Sequence, residues 1–228
     1  MEYTDLWLYL TTVNKPIFLY GMGNGADRIL HQLKQLGLQA RGVFASDDFV
    51  RHQDFHGYTV CSYEEAKAIC PEMLVLIAFG SSLPDVMANM QRIAAEQETY
   101  VPALPLFGED FFTSAYAAAH QEQLHRVYSL LADEVSRTVF RQIVAYKISG
   151  RIAHLLACET SQQQAFDTFF SLSPGEIYAD LGAYNGDTIL QFVQLCPQYR
   201  RIYGMEPDIR TFRKLLANTA HLERTSLW

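Results

Sequence analysis

The sequence predicts an α/β protein made of two Rossmann-like units joined by a helical connector, the second unit truncated. Three observations predict it. Two glycine-rich turns each follow a strand-like run and open a helix-like one. The first is Ile17-Phe18-Leu19-Tyr20-Gly21-Met22-Gly23-Asn24-Gly25-Ala26, and the second is Ile177-Tyr178-Ala179-Asp180-Leu181-Gly182-Ala183-Tyr184-Asn185-Gly186-Asp187-Thr188. Between them, the stretch from Asp110 to Leu172 is rich in Ala, Gln, Leu and Glu, with Gly150 as its lone glycine and no proline. In a turn of this kind glycine removes the side chain that would keep a ligand from backbone N–H groups at a helix N-terminus.

The elements follow in order. Ile17–Gly21 is a short apolar strand, and Ile29, Leu30, Leu33 and Leu36 then recur at helical spacing up to a C-cap at Gly37. Gln39–Ala45 reads as the next strand and ends at Ser46-Asp47-Asp48. His56-Gly57-Tyr58-Thr59-Val60 leads into a helix start at Tyr63-Glu64-Glu65-Ala66. Met73–Gly80 is the strongest strand of the chain, apolar almost throughout, as a parallel strand covered on both faces would be. Pro84 opens a helix running to about Gln97. Val101–Phe107 reads as a further strand, placed at a sheet edge because Pro102 and Pro105 interrupt it. Residues 1–110 form the first unit on this reading.

Residues 111–172 read as the connector, two or three helices with a break near Ser149-Gly150, and Ser173-Pro174-Gly175 marks the boundary to the second unit at 173–228. There the reading is strand, turn, helix (Thr188–Cys196), strand (Arg201–Met205) and helix (Asp208–Asn218). A half-sheet of this kind exposes apolar surface, which the helical segment or a second copy in a homo-oligomer would cover.

Composition narrows the function classes. An apolar fraction of 49 % with 13 % aromatic residues supports a real core rather than disorder. The formal net charge of −7 argues against a nucleic-acid or anionic-membrane partner. No apolar run approaches the roughly 20 residues that span a bilayer, and Glu2 and Asp5 do not make the basic start of a signal peptide. Cys61, Cys70, Cys158 and Cys196 form no CxxC pair and read as four buried thiols in a reduced cytoplasm.

The second turn carries the most chemistry. Asp180-x-Gly182-x-x-x-Gly186 follows an apolar strand, and Glu206 lies about twenty residues further on, at the end of the next strand. An acid at that tip can accept both hydroxyls of a ribose. Asp180 discourages a phosphate in the turn, so a ligand with ribose but no pyrophosphate suits the arrangement. The segment Glu176–Thr188, followed by Tyr203-Gly204-Met205-Glu206-Pro207-Asp208, resembles the FkbM-type S-adenosylmethionine-dependent methyltransferases. The resemblance implies that Asp180, Gly182, Ala183 and Gly186 lie against the methionine part of S-adenosylmethionine, with Tyr184, Asn185 and Asp208 alongside. It implies further that Glu206 holds the ribose and that Asp187 and Thr188 cap the following helix. The implied activity is methyl transfer to a hydroxyl of a sugar or polyketide-like small molecule. A complete domain of that class has several more strands, so no catalytic residue is carried over and the adenine-contacting strand is not expected in this sequence. The alternative reading is a non-catalytic nucleotide- or NAD-binding module, or an assembly module.

The first turn, Gly21-x-Gly23-x-x-Ala26, fits the dinucleotide fingerprint, in which the last position needs only a small residue. With Gly25 and with Asp47 at the tip of the second strand, it reads either as a second nucleotide site or as a Rossmann-like unit that binds nothing tightly. His52 and His56 have the spacing of two metal ligands, but Gly57 breaks any helix there, so no metal is expected. Ser81 and Ser82 follow the strongest strand, where Ser82 would cap the next helix. Arg200, Arg201, Arg210, Arg213 and Lys214 read as solvated faces, and Tyr184 as either a ligand-stacking ring or core.

Overall fold

In a computed structural model, residues 4–81, 83–105, 107–108 and 110–228 are described, with Gln162 described by its backbone alone. The chain divides into two compact units, Met1–Glu159 and Thr160–Trp228. Ser82, the expected helix cap, lies outside the described residues.

The first unit begins with α1 (Leu6–Leu10), whose first turn is capped by the Asp5 carboxylate, and β1 (Ile17–Tyr20). Then come α2 (Asn24–Gln35), β2 (Gly42–Ala45), a single 3-10 turn at Asp47–Phe49, β3 (Asp54–Phe55), β4 (Tyr58–Thr59) and β5 (Cys61–Ser62). The sheet is completed through α3 (Tyr63–Ile69), β6 (Leu74–Ile77), α4 (Pro84–Glu96) and β7 (Glu98–Tyr100). Its five strands are all parallel in the order β5-β2-β1-β6-β7, so the order reverses between β1 and β6. Ligands of open α/β sheets bind at such a switch point, beyond the carboxyl ends of the strands.

The near-continuous apolar strands are explained by cover on both faces. Ile17 and Leu19 of β1 pack with Ala26, Ile29 and Leu33 of α2 and with Leu6 and Leu10 of α1. Phe18 and Tyr20, pointing the other way, pack with Tyr63 and Ala66 of α3 and with Met90 and Ile93 of α4. Helix α2 ends as read, with Gly37 at φ +71° and the Leu38 N–H returning to the Leu33 carbonyl at 2.8 Å. Ser62 and Glu65 close a reciprocal capping box on α3.

Four details correct the sequence reading. The last strand is Glu98–Tyr100, not Val101–Phe107: Pro102 and Pro105 have no N–H to give a ladder, and the Val101 N–H is taken by the Gly150 carbonyl at 2.8 Å. The stretch around His56-Gly57 is a small antiparallel hairpin of β3 and β4, turning through His56 at φ +55° and Gly57 at φ +82°. The helical stretch holds more helices than two or three: α5 (Ser114–Ala119), α6 (Gln121–Leu130), α7 (Glu134–Ser149), α8 (Ala153–Leu156) and, in the second unit, α9 (Gln162–Phe169). The break at Gly150 is as expected, a left-handed C-cap at φ +64°. Of the four cysteines only Cys196 is buried; Cys61, Cys70 and Cys158 are half-buried, and all are free thiols.

The second unit continues with β8 (Ile177–Leu181), α10 (Asp187–Leu195), β9 (Arg201–Met205), α11 (Ile209–Thr219) and β10 (Thr225–Leu227). Its sheet is parallel in the order β10-β9-β8. The third strand is a correction, since the sequence reading stopped at two. Tyr178 and Ile202 face a core with Ile189 and Phe192 of α10 and Leu215 of α11. Ile177 and Leu181 alternate to the opposite face, where they are 54 % and 76 % exposed. No helix among the described residues is long and apolar enough to cross a membrane.

Candidate cofactor site

The second glycine turn is fixed by hydrogen bonds between the ends of β8 and β9. Gly182 leaves β8 at φ +94°, and the N–H groups of Gly182 and Ala183 both donate to the Met205 carbonyl at 2.8 Å. Tyr184 follows in the left-handed region at φ +45°, and its N–H donates to Glu206 Oε2 at 2.9 Å. The other oxygen, Glu206 Oε1, accepts from the Asp208 N–H at 2.8 Å. The Glu206 N–H in turn reaches the Trp228 carbonyl at 2.9 Å, which ties in the end of β10. One carboxylate therefore sits where the turn and all three strand ends converge.

The two glycines serve different ends. A Cβ on Gly186, the N-terminal residue flanking α10 at φ +90°, would come within 2.9 Å of Thr219 and 3.0 Å of Leu215, so this glycine permits close packing of α10 on α11. A Cβ on Gly182 would meet nothing within 4 Å, so its missing side chain leaves open space above the turn. Asn218 of α11 steadies the turn by donating to the Asn185 carbonyl at 2.8 Å.

The remaining expected residues are brought together here, with more local roles than the resemblance implies. Asn185 Oδ1 accepts from the Asp187 N–H at 3.3 Å, and Asp187 Oδ1 from the Thr188 N–H at 2.9 Å. The Thr188 hydroxyl donates to the Asp180 carboxylate instead of capping the helix. Asp208 caps α11: the backbone N–H of Thr211 and that residue's hydroxyl, with the Arg210 N–H, hold its carboxyl below the usual range. Asp180, Asp187 and Glu206 thus line one turn with acceptors only, an environment for a cationic group and for hydroxyl donors. Tyr184 is 56 % exposed, which removes the core alternative. Arg200, Arg201, Arg210, Arg213 and Lys214 are all exposed.

The first turn is built differently. Gly21 (φ +109°) donates its N–H to the Phe44 carbonyl at 2.9 Å, and a Cβ on it would lie 2.5 Å from the Phe79 ring. A Cβ on Gly25 would lie 1.8 Å from the Ala78 carbonyl oxygen, so α2 crosses β6 at backbone contact. Gly23, at φ +90°, faces open space and precedes α2 with no side chain capping the helix. Asp47 is exposed in the 3-10 turn after β2, and its carboxylate has no hydrogen-bond partner among the described residues. Tyr20 spans the switch point, its hydroxyl held by Ser46 at 2.6 Å and by Asn89 at 2.8 Å. His52 and His56 do not converge: His56 pairs with Asp27 at 2.7 Å and His52 lies 3.9 Å from Glu65. Ser81 accepts the Leu83 N–H at 3.2 Å.

No protein-family model matches the sequence. No curated protein matches it either. Among solved structures, the chain is similar in fold to methyltransferase FkbM from Methylobacillus flagellatus KT. The TM-score is 0.61 at 10 % identity, and the match covers 99 % of this chain and 67 % of that one. The fold is a methyltransferase-like one. At this identity the likeness is one of fold.

Proposed function

We propose that the chain binds S-adenosylmethionine at the second glycine turn and belongs to an FkbM-type methyltransferase acting on a hydroxyl of a sugar or polyketide-like small molecule. One observation carries this reading: the Glu206 carboxylate is held at the tip of β9 by the N–H groups of Tyr184 and Asp208, beside the open space over Gly182. Each Glu206 oxygen keeps a lone pair for a ribose hydroxyl after accepting one N–H. The space over Gly182 admits the methionine chain, and Asp180 and Asp187 favour its ammonium group. The residues present therefore fit the methionine and ribose parts of the cofactor.

When bound, the cofactor supplies an electrophilic methyl group on a sulfonium. The protein's task is then to align the acceptor hydroxyl and remove its proton.

Calorimetric titration of the 228-residue chain with S-adenosylhomocysteine tests the reading. Micromolar binding is the expected result. A folded chain that takes up no ligand would overturn it.

A second reading places a nucleotide at Gly21, Gly23, Gly25 and Asp47. The open face of Gly23 at the start of α2 favours it, together with the sheet switch point between β1 and β6. Heat on titration with NAD or a nucleotide-sugar, retained after Glu206→Ala, would support that site.

A further inference from the structure

Tyr184 departs from its neighbours in the second turn. Its backbone occupies the left-handed region at φ +45°, which costs a tyrosine energy that glycine or asparagine would largely avoid. The residue is 56 % exposed, while the adjacent Ala183 is buried in the core with Ile189 and Leu215. A bulky residue held in a strained conformation with more than half of its surface in solvent is not explained by the core of the fold. Its N–H, however, is spent on the Glu206 carboxylate at 2.9 Å, which roots the side chain beside the group assigned above to the ribose.

The cofactor of that reading would carry its positive charge on the sulfur that joins its ribose to its methionine chain, the two parts assigned above to Glu206 and to the space over Gly182. An aromatic face attracts a cation within about 6 Å of its centroid. Resting on the methyltransferase reading, we infer that the Tyr184 ring recognises this sulfonium charge. The turn thereby favours the charged methyl donor over the neutral product left after transfer. Strain in the turn is the cost of presenting an aromatic face at that point, and the consequence is easier exchange of product for fresh donor.

The test compares the affinities of S-adenosylmethionine and S-adenosylhomocysteine by calorimetry in the wild-type chain, Tyr184→Asn and Tyr184→Phe. Asparagine keeps the N–H to Glu206 and tolerates the left-handed backbone, so this variant folds at least as well. Tyr184→Asn is expected to weaken the charged donor about threefold to tenfold and the product by less than about twofold. Tyr184→Phe should keep the wild-type preference. Equal weakening of both ligands by Tyr184→Asn would overturn the inference in favour of adenine stacking or a purely structural role, and unchanged affinities would also overturn it. Failure of the wild-type chain to bind either ligand removes the methyltransferase reading itself and the inference with it.

Discussion

The two glycine turns look alike in sequence and differ in what stands over them. At the first, Phe79 lies on Gly21 and the Ala78 carbonyl lies against Gly25, which leaves Gly23 as the open position between them. At the second, the position over Gly182 is empty, and a carboxylate is wired to the turn through Tyr184. A glycine required because backbone must touch backbone and a glycine at φ +94° with nothing over it are the same letter in a sequence. The physical difference is what a Cβ would hit.

The sharpest way to break this comparison is Gly25→Ala. The added methyl meets a main-chain oxygen that cannot rotate away, so α2 must shift from β6. A loss of about 3 kcal/mol in urea unfolding is expected, at the upper end of overpacking costs. A loss below ~1 kcal/mol would show that the helix–sheet contact is looser than described.

Glu206→Ala probes the other turn through affinity. It should weaken S-adenosylhomocysteine by about 1–3 kcal/mol, the worth of charge-assisted hydrogen bonds to a diol. Unchanged affinity would remove Glu206 from the site.

Gly182→Ala is read in both stability and affinity. There is room for the methyl, so the stability cost is only that of its φ of +94°, about 1–2 kcal/mol by thermal melting. Cofactor affinity should fall as well, since the methyl occupies the space above the turn. A variant that melts lower yet binds normally would show that this space is not used.

The smallest expected effect concerns pH and the first unit. Burial raises the Glu98 carboxyl, but hydrogen bonds from Lys15, Tyr9 and Tyr100 outweigh it and hold the group below its ordinary value. A depressed carboxyl stabilises the fold above its unfolded value and loses that contribution as pH falls through the folded one. Glu98→Gln should therefore cost less than about 1 kcal/mol near neutrality and nothing at pH values acid enough to protonate Glu98, read from melts against pH. An equal cost at both pH values would mean that packing, not charge, is what Glu98 provides.

Much of the fold was legible because its signals are local. Apolar runs such as Leu74–Ile77, the Gly37 and Gly150 caps and Pro84 at a helix start depend on a few neighbouring residues. The misreadings have long-range causes. Strand β10 is three residues, Thr-Ser-Leu, with no pattern of its own, and exists because Gly204 lets Leu227 lie beside it. The strand placed at Val101–Phe107 gave way to Glu98–Tyr100 because the Val101 N–H goes to Gly150, far away in the chain.

The site divides in the same way. By itself the sequence determined two strand–turn–helix units, the glycines and the acid at the tip of the following strand, since spacing and residue type suffice for those. Only the tertiary structure decided that Glu206 is held by the Tyr184 and Asp208 amides, that Thr188 serves Asp180, and that Gly182 is open where Gly21 is covered. Whether a turn is occupied by its own protein depends on side chains arriving from other strands and helices, and their arrival is a property of packing, not of the turn's own residues.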